Sequence, residues 1–344
     1  MIGKLFFLES DSFDPYENLA LEELLLESCG RGICILYLWQ NQKTVVIGRN
    51  QNAWAECRTE ELKQAGGKLA RRLSGGGAVF HDLGNLNFTF VVGKEDYHIP
   101  RQLEVILGAL RRLGIPAEKS GRNDLLAEGK KFSGNAFYEQ GDTWYHHGTL
   151  MVDVDKDSLT RYLTVSKEKL ESKGVASVRS RVVNLREFKP DLTVEELKNA
   201  LVSALEEVYG LEAKRISKKD LDLEGLAEKQ EKYASWDWLY GKRIQFQYQA
   251  SKRFSWGGME LWFQVRGGRI RALKIYSDSL KPGLMEIIED SLTGVCYNRN
   301  DLLAAMGEIP REQPGGNHYA AGSARLVWQH GAVEKRKGKD GTTL

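Results

Sequence analysis

Net charge is nearly absent from this 344-residue chain: 49 Lys and Arg face 47 Asp and Glu, a formal +2. So even a balance sets up no field that would draw in nucleic acid or an anionic membrane, and neither is expected as a partner. Long apolar runs are missing as well. The opening segment holds only Leu5 to Leu8 before charge resumes at Glu9, too short for a secretory core or a membrane span. Cysteine is scarce. Cys29, Cys34, Cys57 and Cys296 make no C-x-x-C pair and no disulfide framework. Their apolar flanks suit buried thiols in a reducing compartment, so a cytoplasmic location is expected. There is no internal repeat, no Walker A loop, no H-E-x-x-H and no Cys/His cluster, which excludes a P-loop nucleotide site and a zinc centre.

What is present reads as a large α+β body followed by a smaller one. Asp14, Pro15 and Glu17 supply a cap, an N1 proline and a capping box for a helix whose stripe is Leu21, Leu24 and Leu25. Ile33 to Trp39 and Thr44 to Ile47 are β-rich, and Gln40-Asn41-Gln42 between them predicts a hairpin. Asn85 to Val92 alternates as a half-buried strand. Helices are expected over 100–113 and 193–209, the second with Thr193 and Glu196 as a capping box. The character changes after Trp236-Asp237-Trp238. Met259 to Val265 and Ile270 to Tyr276 alternate about Gly267-Gly268 as a hairpin or meander, and helices follow over 284–292 and 300–306. The expected domains are 1–247 and 248–310, with 311–344 as a loose, charged tail. Its Lys335-Arg336-Lys337 run reads as a polyanion contact or as solvated charge; the composition favours the second.

The densest chemical signal is the string from Arg71 to Asp82, where two arginines lead into Ser74-Gly75-Gly76-Gly77. Glycines let backbone N–H groups encircle an anion, and an arginine fork suits phosphate. A plain turn with solvated arginines is the alternative; the arginines and the strand behind them favour an anion site. A second signal joins Asn123 and Asp124, hard oxygen donors of the type magnesium takes, to Lys130-Lys131 beside the small residues Ser133-Gly134. Adjacent His146 and His147 on a strand point to opposite faces, so they do not share an ion, and either one lines a site or both are structural. Arg179 and Arg181 share one face of an extended segment and could cover phosphate or pair at the surface.

Together these segments resemble lipoate–protein ligases. The resemblance rests on Asp14-Pro15 with Asn18-Leu19-Ala20, on Val46-Ile47-Gly48-Arg49-Asn50-Gln51-Asn52, on Arg71 through Asp82 with Gly84-Asn85, on Gly121 through Leu125, on Lys131 through Ala136, on His147-Gly148-Thr149-Leu150 and on Ser177-Val178-Arg179-Ser180. It implies a mixed β-sheet flanked by helices, shared with biotin ligases and class II synthetases, plus a small α+β accessory domain. It implies that lipoate (or octanoate) and MgATP give an acyl-adenylate. A lysine of an apo carrier domain then takes the acyl group; such carriers are 2-oxoacid dehydrogenase E2 subunits and the glycine cleavage H protein. It carries roles to particular residues. Lys131 is the catalytic cation and touches both ATP and acid. Arg72, Gly77, Ala78, Val79 and Phe80 bind ATP. Ser74, Gly75, Gly76 and His147 line the acyl site, Asp124 binds magnesium, and Ser177 to Arg181 order over the adenylate. Phe137-Tyr138 stand where some members carry a basic residue. Two other readings stay open: an ATP-independent octanoyl or lipoyl transferase, which would need a cysteine where none lies between Cys57 and Cys296, and a non-catalytic adenylate-binding module.

Overall fold

The computed structural model describes residues 1–121, 124–164, 182–241, 248–254 and 256–307. The strands are β1 (Lys4–Glu9), β2 (Ile33–Trp39), β3 (Thr44–Ile47), β4 (Lys68–Arg71), β5 (Val79–His81), β6 (Asn85–Gly93), β7 (Glu118–Ser120), β8 (Asp124–Ala127), β9 (Lys130–Gln140), β10 (Thr143–Met151), β11 (Ala213–Arg215), β12 (Tyr248–Phe254), β13 (Gly257–Arg266) and β14 (Arg269–Ser277). The helices are α1 (Pro15–Ser28), α2 (Ala53–Glu56), α3 (Thr59–Gln64), α4 (Ile99–Arg112), α5 (Lys156–Tyr162), α6 (Val194–Tyr209), α7 (Leu223–Ala234), α8 (Trp236–Tyr240), α9 (Pro282–Leu292) and α10 (Arg299–Gly307). The chain forms two compact units. The larger holds residues 1–47, 53–74 and 78–240; the smaller holds 48–52, 75–77 and the chain from 241 onward.

The larger unit is built on an eight-stranded mixed sheet in the order β11-β1-β2-β6-β10-β9-β8-β7. Its strands are rich in β-branched and aromatic residues, and both faces are covered. One face sends Leu36, Leu38, Phe88 and Phe90 against Leu103, Ile106 and Leu110 of α4 and Leu197, Leu201 and Leu205 of α6. The other sends Ile35, Tyr37, Trp39, Val91 and Tyr145 against α1 and α7. This double cover explains two departures from the sequence reading. Every residue of β6 is buried, Asn87 and Thr89 included, where alternation predicted a half-exposed strand. Helix α1 buries an unbroken run from Asn18 to Leu26, not a stripe, because the sheet lies on one side of it and α7 on the other.

Asp14 caps α1 as expected, accepting from the Tyr16 N–H at 2.8 Å. Glu17 does not close a box; its carboxylate takes Lys218 Nζ at 3.1 Å. Thr193 caps α6 through the Glu196 N–H at 3.0 Å. The predicted hairpin of β2 and β3 is not formed. β2 pairs with β1 and β6, while β3 lies in a separate sheet ordered β4-β3-β5. The cause is Asn41, which is fully buried. Its side chain accepts from Asn18 Nδ2 at 3.0 Å and meets His81 Nδ1 at 3.2 Å. That inward staple turns the connection into a corner between two sheets instead of a turn within one.

The smaller unit is a β12-β13-β14 antiparallel meander, as the alternation predicted, with Leu284, Met285, Ile288 and Leu292 of α9 and Leu302 and Met306 of α10 packed on it. Residues 48–52 join it through the backbone. Ser277 N–H donates to the Asn50 carbonyl at 2.8 Å, and Asn50 Nδ2 donates to the Pro282 carbonyl at 2.7 Å. Among the described residues no helix is long and apolar enough to cross a membrane.

Gly148 on β10 sits where the sheet has no room for a side chain. A Cβ there would lie 2.7 Å from Phe88 Cζ and 2.8 Å from the Gly134 carbonyl oxygen. Gly148→Ala should therefore destabilise the large unit by about 1–3 kcal/mol, read as a lower urea midpoint at unchanged slope; an unaltered midpoint would show that the strands yield freely there.

Candidate active site

His147 is placed by β10 on the α1 side of the sheet, and its neighbour His146 on the opposite side, as the strand period requires. His147 Nδ1 lies 2.8 Å from Glu22 Oε1, so in either charge state this nitrogen carries the proton and donates it to the carboxylate. Glu22 is 1% exposed and also accepts from the Thr89 hydroxyl at 2.6 Å, which in turn accepts from Trp39 Nε1 at 3.1 Å. On the far side His147 Nε2 lies 2.7 Å from Ser74 Oγ. Arg72 Nε donates to that same oxygen at 3.0 Å, and Arg72 Nη1 donates to the Val46 carbonyl at 3.2 Å. Three predicted site residues, Arg72, Ser74 and His147, are thus joined in one buried chain that ends on a carboxylate.

Sequence reasoning passed over Glu22. The signal available was a pair of adjacent carboxylates, Glu22-Glu23, set inside the leucine-rich run Leu19 to Leu26, where a purely structural helix would carry neither. Burial pulls the Arg72 guanidinium down to about 10, with Glu22 acting in the opposite sense, so Arg72 keeps its charge at neutral pH. Arg71 has a different role. Its Nε donates to the Trp238 carbonyl at 2.8 Å and its Nη2 to the Leu239 carbonyl at 2.5 Å, which clamps α8.

Lys131 lies at the start of β9, just before a bulge that sets Leu126 against Lys131 and Leu125 against Ser133. Its ammonium is 2.7 Å from Asp124 Oδ1, and each side chain is 38% exposed. It does not extend into bulk water: it lies across Gly134, where an added Cβ would meet Nζ at 3.0 Å. Gly134 N–H in turn donates to Thr149 Oγ1 at 3.3 Å. Thr149 is two residues beyond His147 on β10, so Lys131 and His147 rise from the same face of the sheet.

The glycines divide between the units. Gly75, Gly76 and Gly77 belong to the smaller one, where Gly76, at φ +94°, donates its N–H to the Ser279 carbonyl at 3.0 Å. A Cβ on Gly75 would lie 2.0 Å from that carbonyl oxygen, so no other residue fits this bend. Ala78 and Val79 are partly buried; Phe80 is buried in an apolar cluster with Val45 and Ile47, its ring 5.7 Å from that of Tyr162. Asn123, Arg122 and the segment Ser177 to Arg181 lie outside the described residues, as does the tail from 311. No group of three or more His, Cys, Asp or Glu able to hold a metal ion occurs among the described residues, and Asp124 is paired with Lys131.

With this fold and a lysine–carboxylate pair beside a buried arginine chain on one sheet face, the class is that of proteins carrying a lipoyl protein ligase A/B catalytic domain, whose sequence family matches residues 14–206. The family described as bacterial lipoate protein ligase C-terminus matches residues 243–318. The chain belongs to the lipoyl protein ligase A/B family. It is similar to P. falciparum LipL1 in complex with lipoate, at 30% identity and TM-score 0.83 over 95% of this chain and 100% of that one. It is similar to the bipartite lipoate protein ligase of Thermoplasma acidophilum, described with its E2 lipoyl domain, at 30% identity and TM-score 0.60 over 71% of this chain and 99% of that one. A lipoate-protein ligase A bound with ATP matches at 29% identity and TM-score 0.58 over 70% of this chain and 99% of that one.

Two buried histidines set a pH dependence. Burial pushes His146 down to about 3, and burial with the nearby Arg72 charge pushes His81 down to about 3. Both folded values lie below the ordinary value of about 6.5, so the unfolded chain takes up protons that the native state refuses. Stability is complete above about pH 6.5 and falls as pH drops toward 3. Between pH 7.5 and 5.5 the loss should be about 1.4 kcal/mol per histidine, measured by urea unfolding. His81→Gln should remove about half of that decline; an identical decline in the variant would mean that His81 is not held neutral.

Proposed function

We propose that the chain is an ATP-dependent, AMP-forming lipoate–protein ligase. The observation that carries this is Lys131: a cation braced by Asp124 and by the Gly134 platform, on the same sheet face as the Arg72–Ser74–His147 chain. That relatives are described as bound to lipoate, bound with ATP, or paired with an E2 lipoyl domain supports the same reading.

In this reading a carboxylate oxygen of lipoate attacks the α-phosphorus of MgATP, and pyrophosphate leaves. Lys131 stands between the two reacting groups and neutralises charge that builds on the phosphorane oxygens, the electrostatic task for which a preorganised ammonium is worth most. Arg72, which stays charged, holds phosphate with the backbone and apolar surface of Gly77, Ala78, Val79 and Phe80. Ser74, Gly75, Gly76 and His147 line the acyl site. Magnesium would enter with the nucleotide as part of the substrate and offset phosphate charge, and Asp124 is the carboxylate that would help hold it. In the second half-reaction a carrier lysine, on a 2-oxoacid dehydrogenase E2 domain or a glycine cleavage H protein, attacks the carbonyl carbon and AMP leaves. Residues 1–247 carry the chemistry, residues 248–310 act as an accessory domain, and the protein works in the cytoplasm.

A transferase working through a cysteine thioester fits less well. Burial pushes the Cys29, Cys34 and Cys57 thiols up to about 12, which removes the thiolate such a route needs. A non-catalytic adenylate-binding module is separated from the ligase by activity. Lipoate-dependent ATP–pyrophosphate exchange should be present, and no exchange with any medium-chain or dithiolane acid would end the ligase reading. Lys131→Ala should lower exchange at least about 100-fold, whereas Lys130→Ala, its exposed neighbour, should be mild; equal activity in the two variants would reject Lys131 as the catalytic cation.

A further inference from the structure

His146 is fully buried on the α4 side of β10, against the rings of Phe88, Phe90 and Phe137. Its Nε2 lies 2.9 Å from Asn135 Oδ1 on β9, and its Nδ1 lies 3.1 Å from Gln102 Oε1 on α4. Burial keeps the ring neutral. A neutral imidazole donates once and accepts once. Nε2 therefore donates to Asn135, and Nδ1 takes an N–H that the Gln102 amide supplies by turning over. That turn also gives a partner to Gln102 Nε2, which is buried and otherwise has none among the described residues. The rest of this core is apolar, Leu103, Ile106 and Leu110 of α4 included. Apolar side chains of the same volume would hold it together as well or better, so what the polar chain adds is a fixed geometry.

Asn135 ties that chain to Lys131. The bulge in β9 sets Lys131 against Leu126 and Ser133 against Leu125, with Phe132 as the extra residue between them. An extra residue reverses the alternation of faces. Without it Lys131, Ser133 and Asn135 would share one face. With it Asn135 turns to the α4 side and Lys131 to the side of His147. The register agrees: Asn135 is opposite Gly148, Gly148 is opposite Phe88, and Phe88 belongs to the α4 core. Where the bulge sits thus decides where the ammonium points, since a slip of one residue exchanges the two faces. Side chains beside the bulge do little to hold it. Ser133 Oγ is buried without a partner among the described residues, and Gly134 has no side chain. Asn135 comes next along β9, and His146 grips it.

We propose that Gln102 and His146 are positioning residues for Lys131: through Asn135 they hold the β9 bulge in register from the reverse face of the sheet, so that the ammonium rests over Gly134. The proposal rests on the ligase reading above, which makes Lys131 the catalytic cation.

The test uses lipoate-dependent ATP–pyrophosphate exchange. His146→Phe keeps a ring among Phe88, Phe90 and Phe137 and loses both hydrogen bonds, whereas His146→Gln keeps a donor and an acceptor. His146→Phe should lower kcat about tenfold with KM for lipoate and ATP little changed, and His146→Gln should recover most of the loss. In a Lys131→Ala background His146→Phe should change the residual exchange by less than about twofold. Gln102→Leu removes a buried amide from an apolar helix face, so its melting temperature should match or exceed that of the wild type while kcat falls. If His146→Phe does not fold, Gln102→Leu decides the matter alone. Undiminished kcat in the folded variants, an equal fall in the wild-type and Lys131→Ala backgrounds, or losses that simply follow melting temperature overturn the inference and leave the ligase reading standing. A wild type without exchange overturns that reading and this inference with it.

Discussion

A carboxylate kept away from water organises the large unit. Glu22 sits in the leucine-rich buried run of α1, covered on one side by the sheet and on the other by α7. A charge in such a place survives only when fully hydrogen-bonded, and a buried pair broken on one side typically costs about 3–5 kcal/mol. The Thr89 hydroxyl and the His147 ring meet that demand. In doing so they lock the orientation of α1 against β6 and β10, and they fix which nitrogen of His147 holds its proton. The constraint is then passed outward: with Nδ1 committed to Glu22, Nε2 is aimed at Ser74, and Ser74 at Arg72. Arg72 and Ser74 are thus positioned by a carboxylate that no motif contains.

Lys131 is held by a different device. It lies at the half-exposed start of β9, an interior strand between β10 and β8, and its partner Asp124 lies on the adjacent strand at the same level as Gly134. A half-exposed pair of this kind contributes little to stability. Its value is geometric: the ammonium is prevented from straying into solvent, and the small surface of Gly134 gives it a place to lie. Tight burial would have lowered the charge that the chemistry needs, whereas a free surface lysine would have had no fixed position. The two groups are therefore held in opposite ways, Glu22 by burial with paired donors and Lys131 by one half-exposed ion pair.

Much of the architecture was legible because its causes are local. The cap at Asp14, the cap at Thr193 and the β13–β14 alternation each depend on residues a few positions apart, and each forms as read. The hairpin between β2 and β3 failed for a tertiary reason. Gln40-Asn41-Gln42 has turn composition, but Asn41 is claimed by Asn18 and His81 from distant parts of the chain, and the strands enter different sheets. The burial of Asn87 and Thr89 failed in the same manner: alternation reports polarity, and here the polar face is covered by a helix whose own buried carboxylate needs it. Among the candidate residues, opposite placement of His146 and His147 followed from strand geometry alone, while Lys131 was named by the resemblance and its pairing with Asp124 appears only in the structure.

The amino-acid sequence by itself determined most element types, the layered α+β class and the family, because periodicity, capping and motif spacing act over short stretches of chain. Only the tertiary structure decided that Glu22 anchors His147, and that Arg71 is a clamp while Arg72 joins the Ser74–His147 chain. Those outcomes depend on which distant groups compete for each donor and acceptor once water is gone, and that competition is settled by packing, not by any local run of residues.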